Sequence, residues 1–377
     1  MKRLCLLADY PAWLLPGMDA MPANRGHCTW LHMLRPHFES LTHEFDIHWV
    51  VMAKGIARPV TLRTDGQCFH MLPRKRKLIA MATAYLFEIR RIKALVREIR
   101  PDLVHAWGTE DVYALAAASI TGVPVLFSLQ GCITQCLAVT KGKALMRLQG
   151  AYERHALKRL QNVTGESERA CRNMQDINPR LHTTIVDYGI GEPFHQIVRT
   201  PATEPVITFI GSLYPAKGIP ELVEVMKLPL LSGIRLEVWG TGPVMEELKA
   251  SASANVSFRG HASRQQVLDA LATTWALVIP THCDTGPTVV KEARAAAVPV
   301  ITTTAAGASR HVADGLSGHV IAPGDKDALT QAILSVCASR ERSIEMGNHD
   351  IAICRANLLG GTTIRHFSDI YRQILAR

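Results

Sequence analysis

The sequence predicts an α/β protein of two Rossmann-like, doubly wound parallel-sheet domains. Three observations lead there. Short apolar strands alternate with longer helical segments, the pattern of a parallel sheet covered on both faces. The chain has 377 residues, too many for one ordinary core. A stretch rich in Pro and Thr and without apolar periodicity, HQIVRTPATEPV (195–206), interrupts the pattern half-way. The expected division is 1–195, a linker at 196–205, 206–357, and a last helical segment at 358–377 returning to the first domain. Two such sheets would face a cleft, with ligands beyond the strand C-termini.

In the first half, the apolar run after Met1 predicts a buried strand at 3–8. It is too short for the core of a signal peptide. Further strands are expected at 46–52, 67–72, 102–106, 123–128 and 161–165. Helices are expected at 26–40, 78–99, 110–121, 141–158 and 168–175, the second ending before Pro101. In the second half, strands at 206–211, 234–239, 255–259, 275–279, 298–302 and 318–321 alternate with helices at 217–228, 243–252, 263–272, 287–296, 308–313 and 325–339.

Composition narrows the function. A hydrophobic fraction of 47% without low-complexity tracts argues against disorder. No apolar run reaches the length of a membrane span. Nine cysteines at scattered spacings, with no Cys-x-x-Cys pair, point to a reducing compartment and a cytoplasmic protein. No His/Asp cluster has ligand spacing along the chain, so no metal is expected. The net charge of +9 is concentrated early: residues 1–100 hold 16 Lys+Arg and 8 Asp+Glu, or +8. The densest run, Arg74-Lys75-Arg76-Lys77, precedes an apolar and then basic helix. Two readings are open for it: a solvated helix face, or docking on an anionic membrane at its inner surface. Nucleic acid is not expected, because no aromatic residues interleave with the charges.

The chemistry is densest at THCDTGPTVVKEARAAAVPVI (281–301). Asp284 offers a loop carboxylate. Pro287 suits the first helical position, and Gly286 and the amides of Thr288 and Val289 would follow at a helix start suited to an anion. Glu292 lies about one turn further along. Upstream, Gly211-Ser212 ends a strand and Lys217-Gly218 opens a helix, where a lysine would neutralise a diphosphate as a point charge. It is not a P-loop, because the Gly-x-x-x-x-Gly-Lys order is absent. Gly240 and Gly260 end two more strands, and a planar base would fit near 259–261. In the first half, His105 sits at a strand end and is either a satisfied core residue or a substrate contact. Glu110 follows Gly108 in a loop, and Gln130-Gly131 ends the next strand. Gly26 and His27 open a helix that would reach phosphate.

Taken in order, IGSLYPAKG, EVWGTGP, VSFRGHASRQQV, VIPTHCDTGPTVVKEARAAAVPVI and AAGASRHVADGLSGHVIAPGD resemble the group 1, or family 4, retaining glycosyltransferases of the GT-B fold. The resemblance covers nearly all of 206–330. It implies transfer of a sugar from a nucleotide diphosphate-sugar, UDP- or GDP-linked, to a glycan or lipid-linked acceptor with retained configuration. No cofactor is required. Lys217 would bind the diphosphate, Glu292 the ribose, and Asp284 stands where the family has its sugar-binding acid, usually Glu. Gly211-Ser212-Leu213 stands where the family often has Gly-Arg-Leu, and Arg310 where it often has Glu. The first half is more weakly similar and would hold the acceptor side. There, LFSLQGC is similar to a bacterial polysaccharide subset with Ser-x-Gln-Gly, which implies surface polysaccharide or glycoconjugate synthesis. Two rivals remain: a sugar-nucleotide epimerase of the same fold, and a non-catalytic glycan- or membrane-binding relative.

Overall fold

The computed structural model describes residues 1–18, 29–139 and 144–377. The chain forms two compact units, Met1–Gly189 with Gly360–Arg377, and Ile190–Leu359.

The first unit is built on eight strands: β1 Lys2–Leu7, β2 Phe45–Ala53, β3 Val60–Thr64, β4 Gln67–Pro73, β5 Leu103–Trp107, β6 Val125–Ser128, β7 Asn162–Gly165 and β8 His182–Ile185. Their order is β3-β4-β2-β1-β5-β6-β7-β8, and only β3 runs antiparallel to its neighbour. Successive side chains of a strand point to opposite faces. Accordingly Leu4, Leu6, Ile47 and Trp49 join one core, while Cys5, Leu7, Val50 and Met52 join the other. Both faces are therefore covered, as the near-continuous apolar strands require. The helix Gly360–Leu375 adds Ile364, Phe367 and Tyr371 to the first of these cores.

The second unit holds β9 Val206–Ile210, β10 Arg235–Trp239, β11 Val256–Gly260, β12 Ala276–Ile279, β13 Val300–Thr303 and β14 Gly318–Ile321. All pairs are parallel, in the order β11-β10-β9-β12-β13-β14.

Several elements differ from expectation. The helix expected at 78–99 is two helices, Lys77–Ala82 and Leu86–Ile99. Ala84 and Tyr85 between them have φ of 47° and 57°, and Tyr85 is buried, so tertiary packing overrides local preference. The helix expected at 26–40 is Thr29–Leu34 running into a 3-10 turn, Arg35–Leu41, where Pro36 contributes no N–H. The segment expected as a helix at 308–313 is a 3-10 turn, Gly307–His311. β3, β8 and the helices Ile133–Val139, Arg340–Asn348 and Ile351–Asn357 were not anticipated. The units divide at Gly189/Ile190 and Leu359/Gly360, so 195–206 belongs to the body of the second unit. There the Arg199 guanidinium donates to the carbonyls of Ala297 (2.8 Å), Thr274 (2.8 Å) and Ser343 (3.1 Å).

Candidate active site

In the second unit the strand order reverses between β9 and β12, and candidate residues stand at the C-terminal ends of those two strands. The loops are drawn together by hydrogen bonds. Thr281 Oγ1 and the His282 amide both donate to the Ala216 carbonyl at 2.9 Å. Glycines allow the approach. A Cβ on Gly218, whose φ is 69°, would collide with the Pro280 carbonyl oxygen. One on Gly240 would collide with the carbonyl oxygen of Gly211.

Lys217 ends a 3-10 turn, Pro215–Lys217, and its Nζ forms an ion pair with Asp284 Oδ2. Asp284 is fixed by its surroundings. Its amide donates to Ala305 O (3.3 Å), its carbonyl accepts from Gly307 N (2.8 Å), and Oδ1 accepts from Gly286 N (3.2 Å). The following helix is Thr288–Ala295, with Pro287 at the cap position and no side-chain oxygen capping its first amides. The helix thus starts one residue later than expected. Thr288 and Val289 occupy its first turn, where the dipole favours an anion.

Glu292 is buried on the same helix, and its Oε1 accepts from Arg264 Nη1 at 3.0 Å. Burial raises its pKa, while the charges of Arg264 and Lys291 oppose the rise. Arg264 also lies over the Phe194 ring, 4.1 Å from its centroid. Sequence reasoning missed Arg264. The available signal was a cation in the first turn after the Ser263 cap, where the helix dipole disfavours positive charge. Ser212 follows Gly211 beyond β9, and Gly260 closes β11 with φ of 75° and open space around its missing Cβ.

In the first unit the strand order reverses between β1 and β5. Beyond β5, Gly108 N donates to Ser128 O at 3.1 Å, joining that loop to the end of β6. The Glu110 carboxylate packs against two glycines. A Cβ on Gly108 would lie 3.0 Å from Glu110 Oε2 and from Gln130 Oε1, and one on Gly131 would collide with Glu110 Oε1. Burial, aided by the Glu153 charge, pushes the Glu110 carboxyl up to about 7, against the backbone amides of Glu110 and Thr109 and the Lys77 ammonium. The structure therefore brings Glu110, Gln130 and Gly131 together.

Glu153 was not foreseen. It is fully buried and accepts from Thr109 Oγ1 (2.7 Å), Ile133 N (2.9 Å), Thr134 N (2.9 Å) and Thr134 Oγ1 (2.5 Å). It holds the loop after Gly131 by capping the next helix from a distant one. Its signal was an acid on a buried stripe with Gly150, Ala156 and Leu157.

His105, expected either in the core or at substrate, lies in the core. It is fully buried, with Nδ1 2.7 Å from Tyr371 Oη and Nε2 2.6 Å from Ser128 Oγ. Both ring nitrogens are thus engaged, and burial drives its pKa well down. It has no atom left for chemistry in this arrangement. Gly26 and His27 lie outside the described residues. Of the basic run, Arg74 turns inward to ion pairs with Asp111 and Asp9, so it is not part of an exposed cationic face. Lys75, Arg76 and Lys77 are exposed beside the exposed Leu78 and Ile79. Among the described residues, no helix is long and apolar enough to cross a membrane.

Comparison with known proteins gives this architecture a family. Residues 204–339 match the family described as glycosyl transferases group 1, and residues 25–167 match glycosyl transferase 4-like. The two matches together take in most of the chain, which carries a group 1 and a glycosyltransferase 4-like domain. A glycogen synthase of Mycobacterium tuberculosis is 28% identical over 283 residues, 68% of this chain and 66% of that protein. The chain thus spans just under two thirds of the length of that curated relative. The capsular polysaccharide biosynthesis glycosyltransferase CapM of Staphylococcus aureus is 29% identical over 136 residues, 34% of this chain and 35% of that protein. Among solved structures, sucrose-phosphate synthase from Thermosynechococcus elongatus superposes with a TM-score of 0.79 at 16% identity, covering 100% of both chains. Anabaena HepE in complex with UDP-glucose gives 0.69 at 12%, covering 99% of this chain and 100% of that one. These likenesses establish the GT-B fold.

Proposed function

We propose that this chain transfers a sugar from a nucleotide diphosphate-sugar to a glycan or lipid-linked acceptor hydroxyl, with retention of configuration. The observation carrying the reading is the Lys217–Asp284 pair beside the start of the helix Thr288–Ala295, with Glu292 one turn along it. The Lys217 ammonium and the first-turn amides, with Ser212, suit the donor diphosphate. Asp284 suits the sugar hydroxyls and Glu292 the ribose. The bond from anomeric carbon to phosphate oxygen breaks, and its electron pair goes to the departing diphosphate. The acceptor oxygen bonds to the same face of that carbon, and its proton passes to a leaving phosphate oxygen. Fixed donors aimed at the growing negative charge contribute about 3 kcal/mol each in comparable sites. In the first unit, Glu110 and Gln130 suit the acceptor or the donated sugar. HepE, of similar fold, binds UDP-glucose, which supports a UDP-linked donor. CapM supports a role in surface polysaccharide synthesis. The exposed Lys75, Arg76 and Lys77 beside Leu78 and Ile79 support docking on an anionic membrane.

Thermal shift against UDP, GDP, ADP and their sugars tests the donor, since a ligand that binds only the folded form raises the melting point. One sugar nucleotide should raise it more than its bare diphosphate, because Asp284 then gains hydroxyl partners. Lys217→Ala should keep its fold and lose turnover by about 100-fold or more. Wild-type turnover in that variant removes Lys217 from the mechanism. Product formed from donor alone, without acceptor, favours the epimerase.

A further inference from the structure

A second constellation lies in the first unit, on residues that the transferase reading does not use. β2 and β4 pair in parallel with His48 opposite Cys68 and Val50 opposite His70. The period of two puts Asp46, His48, Cys68 and His70 on one face of the sheet. The donor atoms of His48, Cys68 and His70 all lie within 4.8 Å of one another. His48 Nδ1 is 3.0 Å from His70 Nε2, and the rings are stacked at 9°. Among the described residues this is the one group of three such donors.

We propose that His48, Cys68 and His70 form a binding site for a borderline transition-metal cation, Zn2+ in the first place. The argument begins with the outer partner. His48 Nε2 is 2.9 Å from Asp46 Oδ2. A carboxylate accepts, so Nε2 carries the proton and Nδ1 presents its lone pair inward. A histidine oriented by a carboxylate is the usual second layer of a zinc site. With His48 Nδ1 unprotonated, the His70 Nε2 proton occupies the space between the two rings. A cation replaces that proton, and the two nitrogens move apart slightly to metal-bond length. His70 then carries its proton on Nδ1, where Thr61 Oγ1 at 3.3 Å accepts it.

Cys68 supplies the third ligand as a thiolate, and its proton leaves to solvent. Binding therefore releases one proton. Two imidazoles and one thiolate select zinc over magnesium or calcium, which prefer oxygen. Three protein ligands leave a fourth position for water. The charge around the site suits a net +1 centre. Asp46 and Glu98 are negative, and Arg63, a cation that faces both Cys68 and His70, is partly offset by Asp46 at 3.5 Å. His48 and His70 are half-buried at the edge of the core, which leaves a path for an ion. A bound cation would clamp β4, and with it the antiparallel edge strand β3, to β2.

The test uses the full chain, reduced and stripped with chelator, and Co2+ as a spectroscopic stand-in for Zn2+. One equivalent should give a thiolate-to-cobalt charge-transfer band with visible bands of a four-coordinate ion, and Zn2+ should erase both. Cys68→Ser should abolish the charge-transfer band. His48→Gln and His70→Gln should each weaken binding at least about 10-fold, and Asp46→Asn about 10-fold through His48. An absent band in the wild type, or an unchanged one in Cys68→Ser, overturns the proposal. A second measurement needs no variant: Zn2+ should slow alkylation of Cys68 in the wild type, read by mass spectrometry. Equal labelling with and without Zn2+ also overturns it.

Discussion

Glu110→Gln should stabilise the protein above neutral pH and do little in acid. The cause is the cost of charging a carboxylate in the niche formed by Gly108, Gln130 and Gly131. Its carboxyl is pushed from 4.5 up to about 7, mainly by burial and then by Glu153. An acid with a raised folded pKa binds more protons when folded than when unfolded over the window between those two values. Its folding contribution is favourable below the unfolded pKa and is lost as pH rises through the folded one. A carboxyl held at about 7 in the folded chain corresponds to about 3 kcal/mol of instability by pH 8, and to under about 1 kcal/mol at pH 5. The neutral isostere removes this cost. Urea unfolding of wild type and variant at pH 5 and pH 8, followed by tryptophan fluorescence, reads the difference directly. The variant should gain about 2 kcal/mol relative to wild type between those pH values. A pH-independent difference, or a variant less stable at pH 8, refutes the reasoning. On the proposed function, where Glu110 meets the acceptor or the donated sugar, Glu110→Gln should also lower turnover while it gains stability.

Arg264→Met keeps some packing on Phe194 but leaves Glu292 without its guanidinium, and should cost about 1–2 kcal/mol in chemical denaturation, with Arg264→Lys recovering part of it. Gly240→Ala forces the Gly211 carbonyl away and should cost about 2 kcal/mol or more, with a lower melting point of the second unit. Arg74→Ala breaks part-buried pairs with Asp111 and Asp9 and should cost about 1–2 kcal/mol, whereas Lys75→Ala and Arg76→Ala should stay within about 0.5 kcal/mol. In vesicle sedimentation, replacing Lys75, Arg76 and Lys77 together by Ala should release the chain from anionic lipid. Undiminished binding removes the basic run from membrane docking.

The second unit was readable because its signals are short-range. Each of β9 to β14 is a run of apolar or alternating residues closed by a turn, and each candidate loop follows one directly. The first unit was less so. β3 reads Val-Thr-Leu-Arg-Thr and β8 His-Thr-Thr-Ile, half-exposed edge strands whose polarity resembles that of a loop. The break at Ala84–Tyr85 depends on burying the Tyr85 ring, which no local pattern contains. The partnership of Arg264 with Glu292 spans 28 residues of chain. His48, Cys68 and His70 come together only through the register of β2 on β4. The fate of His105 turned on Tyr371, 266 residues away on the last helix.

Burial alone does not set the state of an acid in this protein; the supply of donors does. Glu153 is wholly enclosed, yet two amides and two hydroxyls converge on its carboxylate. Charge-assisted hydrogen bonds of that number replace the lost water, so the group acts as a cap and a strut. Glu110 lies beside the same loop and is less enclosed, and the amides of its own residue and Thr109, with the Lys77 ammonium, oppose the effect of burial on it without cancelling it. Glu153 also adds a like charge. The better-satisfied acid thus helps to hold its neighbour poised near neutrality. A hydroxyl-rich ligand would bring further donors to Glu110, whereas the Glu153 carboxylate already has four. On the proposed function, Glu110, the more exposed of the two, is the acid that meets the sugar or the acceptor.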